Sequence, residues 1–329
     1  MTEPVDLAEI VRARQRIAPA AIVTPLLPAF ALDVPDGVDL ALKAESLQRT
    51  GSFKFRGAYN AISGLPPEDR EQGVITYSSG NHGQAVAAAA HLLGVRAVVV
   101  MPEDAIGLKV ELTRGWGAEI EFAGRTSLQR ERRALELAEE HGYTVIPPFD
   151  DPRIIAGQGT TGLEILDQRP DLEAVVVQVG GGGLISGIAT AVKVQRPDVR
   201  IIGVEPEGGA DARDSFRSGT LTTWDSIDTV ADGLRTSRIG ELNFAAIRAY
   251  VDEIVTVPDP EIMATVGALA TRAKLVVEPS GAAATAAVLS GRTGLRDARA
   301  VAVISGGNVD PAMLSSALES SDRSTVASR

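Results

Sequence analysis

Four consecutive glycines, Gly180, Gly181, Gly182 and Gly183, separate an apolar run at 174–179 from a helical segment at 184–194. Turns seldom need four residues without side chains. Between a strand and a helix, such a loop exposes backbone N–H groups at the helix N-terminus, where an anion can sit. The pattern also constrains the fold: strands feeding helices through tight loops build α/β sheets, with ligands beyond the strands' C-terminal ends. Further strand candidates lie at 40–44, 74–77, 97–101, 118–122, 144–146, 201–205, 254–257 and 300–304. Helical periodicity marks 83–93, 127–141, 154–166, 260–274 and 281–289. Several strands are unbroken apolar runs, as expected where helices cover both faces of a mainly parallel sheet.

Two more glycine-rich loops follow candidate strands: Ser78-Ser-Gly-Asn-His-Gly83 and Ser305-Gly-Gly-Asn308. Three such loops at strand ends point to one ligand site. The first offers amides and hydroxyls to a carboxylate; a ligand-free capping turn is the plain alternative for it and for the last. Lys54 stands in Ser52-Phe-Lys-Phe-Arg-Gly57, flanked by apolar bulk. A desolvated lysine has a lowered pKa and becomes a Schiff-base nucleophile, whereas an ordinary one is a surface charge. Dinucleotide binding by the tetraglycine loop, with Glu205 on a ribose, fails on spacing, because Ser186 stands where the third glycine belongs. The segment Glu205-Pro-Glu-Gly-Gly-Ala-Asp211 has the carboxylates and carbonyls that suit Mg²⁺ or Ca²⁺, or is a set of solvated acids. His82, His91 and His141 show no metal-ligand spacing and are assigned no chemistry.

The net charge of −11 argues against a nucleic-acid partner, which requires a basic footprint. With no cysteine, disulfides, thiolate chemistry and Cys-ligated zinc are excluded. The N-terminus shows no signal-peptide pattern, and the most apolar stretch, 85–101, is broken by His91, Gly94 and Arg96, so no membrane partner is expected. The Ser-rich tail from Glu319 is expected to fray.

Taken together, the Lys54 motif, the Asn81 loop, the tetraglycine loop and the Ser305 loop resemble the fold-type II pyridoxal-phosphate (PLP) enzymes, and among them the serine/threonine dehydratase and serine racemase branch. The resemblance runs from Thr24 to Asn308. It implies an α/β fold like that of the tryptophan synthase β chain, with two open, mainly parallel twisted sheets covered by helices. Residues 1–72 with 151–329 would form a large PLP-binding domain, and 73–150 a small inserted one. Lys54 would carry the cofactor and take the substrate's α-proton, with Phe53 packed beside the ring. The residues Gly180, Gly181, Gly182, Gly183 and Leu184 would cradle the phosphate. Asn81 would meet the ring hydroxyl and Ser305 the ring nitrogen, with Gly233 and Glu278 nearby. By the same resemblance Ser78, Ser79, Gly80 and Asn81 would bind the substrate carboxylate. Arg130 would reach that carboxylate or lie on a solvated helix face. In racemases the counterpart of Ser79 is the acid/base on the face opposite the lysine. Glu205, the carbonyl of Gly209 and Asp211 match the family's divalent-cation loop.

The activity implied is that of an L-threonine/L-serine ammonia-lyase, eliminating water to give 2-oxobutanoate or pyruvate and ammonia. A hydroxyl at the ring nitrogen cannot keep it protonated as a carboxylate would, which favours β-elimination over transamination. Serine racemase, a 3-hydroxyaspartate dehydratase and a non-catalytic ligand-binding homologue remain as alternatives. A cysteine synthase type fits the lysine and asparagine motifs less well, and a nicotinamide-binding protein is the outsider. The chain ends soon after Asn308, so a short, catabolic-type enzyme without a regulatory domain is expected, as a cytoplasmic homodimer.

Overall fold

A computed structural model describes residues 3–78, 80–105 and 107–326. Its larger sheet has six strands in the order β1-β2-β10-β7-β8-β9. These are β1 (Leu26–Pro28), β2 (Asp39–Ala44), β7 (Ala174–Gln178), β8 (Arg200–Pro206), β9 (Glu253–Val257) and β10 (Arg299–Ile304). All neighbours are parallel except β1 and β2. The smaller sheet is wholly parallel, in the order β5-β4-β3-β6. Its strands are β3 (Val74–Thr76), β4 (Ala97–Met101), β5 (Glu119–Phe122) and β6 (Thr144–Val145).

The helices of the first half are α1 (Leu7–Ile17), α2 (Lys54–Ser63), α3 (Pro67–Gln72), α4 (Asn81–Leu93), α5 (Gly107–Gly115) and α6 (Ser127–His141). Then follow α7 (Pro152–Gln168), α8 (Gly183–Gln195), α9 (Asp211–Ser218) and α10 (Glu241–Tyr250). The last three are α11 (Asp259–Ala268), α12 (Pro279–Leu289) and α13 (Pro311–Val326). The fold class is the one expected. The strand β1 and the helices α1, α2, α3, α5, α9, α10 and α13 have no counterpart among the expected segments. The edge strand β1 is too short to leave an alternating pattern, and α13, anchored by the buried Ala317, runs to Val326 within the stretch expected to fray, whose last three residues lie outside the described ones.

Strand alternation sorts the core. Val175 and Val177 of β7 pack with Ile185 and Ile188 of α8, whereas Val176 packs with Leu42, Ile202 and the alanine-rich α12. The strands β2, β10 and β7 are adjacent, so the segments leaving their C-terminal ends emerge side by side: the Lys54 segment, the Ser305 loop and the tetraglycine loop.

Helix α7 fixes the distance between two of those segments. A Cβ on Gly157 would stand 2.6 Å from the Cα of Gly57 on α2, and one on Gly159 would stand 2.9 Å from the carbonyl oxygen of Gly187 on α8. The backbones of α2 and α8 therefore pack directly against α7. Beneath α2 lies a buried ionic network. Arg56 donates two hydrogen bonds to Glu45 (2.7 and 2.8 Å) and two to Glu164 (2.6 and 2.9 Å). Lys43 adds a bond to Glu164 (2.5 Å) and another to the carbonyl of Thr24 (2.7 Å). Two cations balance two carboxylates, which is what burial of charge demands.

Candidate active site

Lys54 opens α2, which has no side-chain cap. Its ammonium donates to the carbonyl of Pro148 (2.7 Å) and stands 5.2 Å from the centroid of the Phe53 ring. Desolvation pushes its pKa down to about 8 against the opposing pull of Glu278. The side chain is half-buried, and its amine is primed for nucleophilic use.

From Lys54 a closed ring of contacts runs around the cleft. Phe149, next to Pro148, packs on the tetraglycine loop: a Cβ on Gly181 would stand 2.2 Å from its ring. Gly182 has φ +93°, a conformation glycine adopts without strain. The loop is held from outside by Asn243, which donates to the Gly181 carbonyl (2.9 Å). It opens α8 with no side-chain cap, which leaves backbone N–H groups of the first turn available to an anion. Gly180 lies against the carbonyl of Gly233, whose N–H donates to Ser280 (2.8 Å) on the first turn of α12. Glu278, just before α12, accepts from Asn81 Nδ2 (2.6 Å), and Asn81 Oδ1 accepts from Asn308 (2.8 Å). Asn308 also donates to the carbonyl of Thr50 (2.7 Å), which returns the ring to the Lys54 segment.

Ser305 is buried, and its carbonyl accepts from Phe53 N (3.0 Å). Ser78, Gly80 and Asn81 form the entry to α4, another helix without a side-chain cap. Leu184 is buried in the first turn of α8. Ser79 lies outside the described residues. Arg130 is not brought into the ring: it donates to Arg125 O (3.1 Å) and Ser127 Oγ (2.9 Å), and its Nε is buried without a partner. Glu205 near the end of β8, Gly209 in the following turn and Asp211 at the start of α9 lie along one short segment, one strand away from the tetraglycine loop. Asp211 Oδ2 has no partner there, while both Glu205 oxygens accept backbone N–H groups of α9. Burial raises both carboxyls, Asp211 to about 7. No cluster of three His, Cys, Asp or Glu side chains exists among the described residues, so a cation here would rely on the Gly209 carbonyl and solvent.

His82 is buried beside this site, with Nε2 donating to the Ile146 carbonyl (3.0 Å). Burial, then the charge of Lys54, pushes its pKa down to about 3, so it is a neutral imidazole that holds the strand exit.

A family model for pyridoxal-phosphate dependent enzymes matches residues 17–306. The chain belongs to the pyridoxal-phosphate-dependent enzymes. This PLP-dependent enzyme is 45% identical over 302 residues to an L-threo-3-hydroxyaspartate ammonia-lyase of Saccharomyces cerevisiae, covering 92% of this chain and 93% of that one. It is 42% identical to a catabolic L-threonine dehydratase of Staphylococcus aureus over 96% of this chain and 92% of that one. The solved structure of maize serine racemase superposes with a TM-score of 0.91 at 37% identity, over 98% of this chain and 99% of that one. The fold is therefore fold-type II, and the residues around the cleft fit PLP: a desolvated lysine amine and an uncapped, glycine-lined helix N-terminus.

Sequence reasoning missed the segment Pro147-Pro-Phe-Asp-Asp151, whose members contact Lys54, the tetraglycine loop and the N-termini of α7 and α10. Its signal was available: an Asp followed by Pro at the start of a helix, directly after a strand. Asn308 was quoted within its loop but given no role.

Proposed function

We propose that this enzyme is an ammonia-lyase for small β-hydroxy amino acids, with L-threonine and L-serine as substrates. The observation that supports this reading is that Ser305, the residue we assign to the ring nitrogen, is a buried neutral hydroxyl at the end of β10 beside the Lys54 segment. PLP supplies an aldehyde for the substrate amine and a ring that draws electrons from Cα. Lys54 Nζ, neutral above about pH 8, takes the α-proton, and the Pro148 carbonyl holds the resulting ammonium. The uncapped start of α4, with Ser78, Gly80 and Asn81, receives the substrate carboxylate. The N–H groups of residues 180–184 hold the phosphate. With only a hydroxyl at the ring nitrogen, loss of the β-hydroxyl competes well against reprotonation at Cα.

The first test is 2-oxo acid release from PLP-loaded protein given L-threonine, L-serine or threo-3-hydroxyaspartate. Turnover of threonine or serine that disappears in Lys54→Ala is expected. No 2-oxo acid from any of the three would overturn the reading and direct attention to D-serine formation, the racemase outcome. A second reading, 3-hydroxyaspartate as preferred substrate, is supported by the L-threo-3-hydroxyaspartate ammonia-lyase at 45% identity over 92% of this chain. We also propose the division into 1–72 with 151–329 and 73–150, a homodimeric assembly, and a divalent cation held by Glu205, Gly209 O and Asp211.

A further inference from the structure

Gln178 is the last residue of β7 and is 3% exposed. The rest of that strand is Ala-Val-Val-Val, so an amide at its end stands out as a polar group in an apolar sheet. Its side chain crosses to the neighbouring strand β10. There Nε2 donates to the Val303 carbonyl (3.1 Å), and Oε1 accepts from the Ser305 N–H (3.1 Å). A backbone carbonyl can only accept and a backbone N–H can only donate, so these two partners fix which way the amide points. The same Oε1 is within hydrogen-bond distance of Ser305 Oγ. A hydroxyl has one proton to give. If Ser305 faces the ring nitrogen of PLP, its proton has two acceptors: that nitrogen and Gln178 Oε1.

We propose that Gln178 is a positioning residue that competes with the cofactor's ring nitrogen for the Ser305 hydroxyl proton and so weakens the ring as an electron sink. The proposal rests on the reading of Ser305 given above. It explains why a buried amide ends this strand: the side chain orders the Ser305 hydroxyl without bringing a charge into the sheet. An acid there would lose the bond to Val303 and place a carboxylate against a carbonyl. An apolar residue would remove this competing acceptor from the Ser305 hydroxyl.

The experiment is nuclear magnetic resonance of enzyme loaded with PLP labelled with ¹⁵N in the ring, a readout independent of turnover. Gln178→Met removes the competing acceptor at similar length. Gln178→Ala does so without risk of overpacking and serves if the first variant does not fold. Both are expected to move the ring ¹⁵N resonance toward stronger hydrogen bonding. Ser305→Ala is expected to move it the other way, and adding Gln178→Met to Ser305→Ala should produce no further shift. A resonance that moves in Ser305→Ala but is unchanged, or moves oppositely, in the Gln178 variants overturns the proposal. A resonance indifferent to Ser305→Ala overturns instead the placement of Ser305 at the ring nitrogen.

Discussion

At the scale of single residues, the chemistry depends on how Lys54 is desolvated. Its ordinary value near 10.5 falls to about 8, so the amine is charged below that pH and neutral above it. Capture of PLP by cofactor-free protein needs the neutral amine, so its rate should rise about tenfold per pH unit up to about 8 and then level off. Stopped-flow absorbance across that range tests this. A midpoint near the unperturbed lysine value would show that the amine is not desolvated. The lysine itself was legible from its motif; its hydrogen-bond partner was not, because Pro148 is distant in sequence and acts through a backbone carbonyl. Thr50 was equally silent. Its φ of +61° is rare for a β-branched residue, and the conformation is held by the bond from Asn308 to its carbonyl.

At the scale of elements, loops at strand ends and uncapped helix starts are the binding elements we propose. The tetraglycine loop was legible because only glycine tolerates its crowding, and the structure names the crowding groups. Gly181→Ala would drive a Cβ into the Phe149 ring, 2.2 Å away. PLP affinity is expected to fall by at least about tenfold, roughly the equivalent of one lost charge-assisted contact. Adding Phe149→Ala should restore part of it, as contacting residues couple. Titration of cofactor-free protein by PLP absorbance measures both; additive losses would show that Phe149 is not what Gly181 makes room for. Helices α1, α2, α9 and α10 left weaker traces than α7 or α8. They are short, between 8 and 11 residues, and tertiary packing stabilises helices of that length more than propensity does.

Across the whole molecule, stability and the site share a framework. Arg56 lies on α2, two residues beyond Lys54, and carries four bonds to Glu45 and Glu164. Arg56→Met would leave both carboxylates buried and short of a cation, at an expected cost of about 3–5 kcal/mol, read from urea denaturation. A loss below about 1 kcal/mol would mean that solvent reaches them. The cation loop makes a parallel prediction. Mg²⁺ or Ca²⁺ at a hundred times its dissociation constant should stabilise the protein by about 2.7 kcal/mol, and Asp211→Asn should abolish the gain. Thermal unfolding with and without chelator checks it, and an unchanged midpoint would remove the cation from the proposal.

What the sequence determined by itself was everything set by local pattern. Apolar runs and helical periods gave the α/β class, and the glycine loops and Lys54 motif marked the cleft, because loop geometry and residue chemistry are written over a few neighbouring positions. What only the tertiary structure decided was which groups face one another. The salt-bridged support of Arg56, the Pro148 carbonyl at Lys54, the link from Asn308 to Asn81 and the amide of Gln178 at Ser305 all join residues far apart in the chain. Their pairing is fixed by strand order and by the close approach of α2, α7 and α8, and no local pattern encodes either.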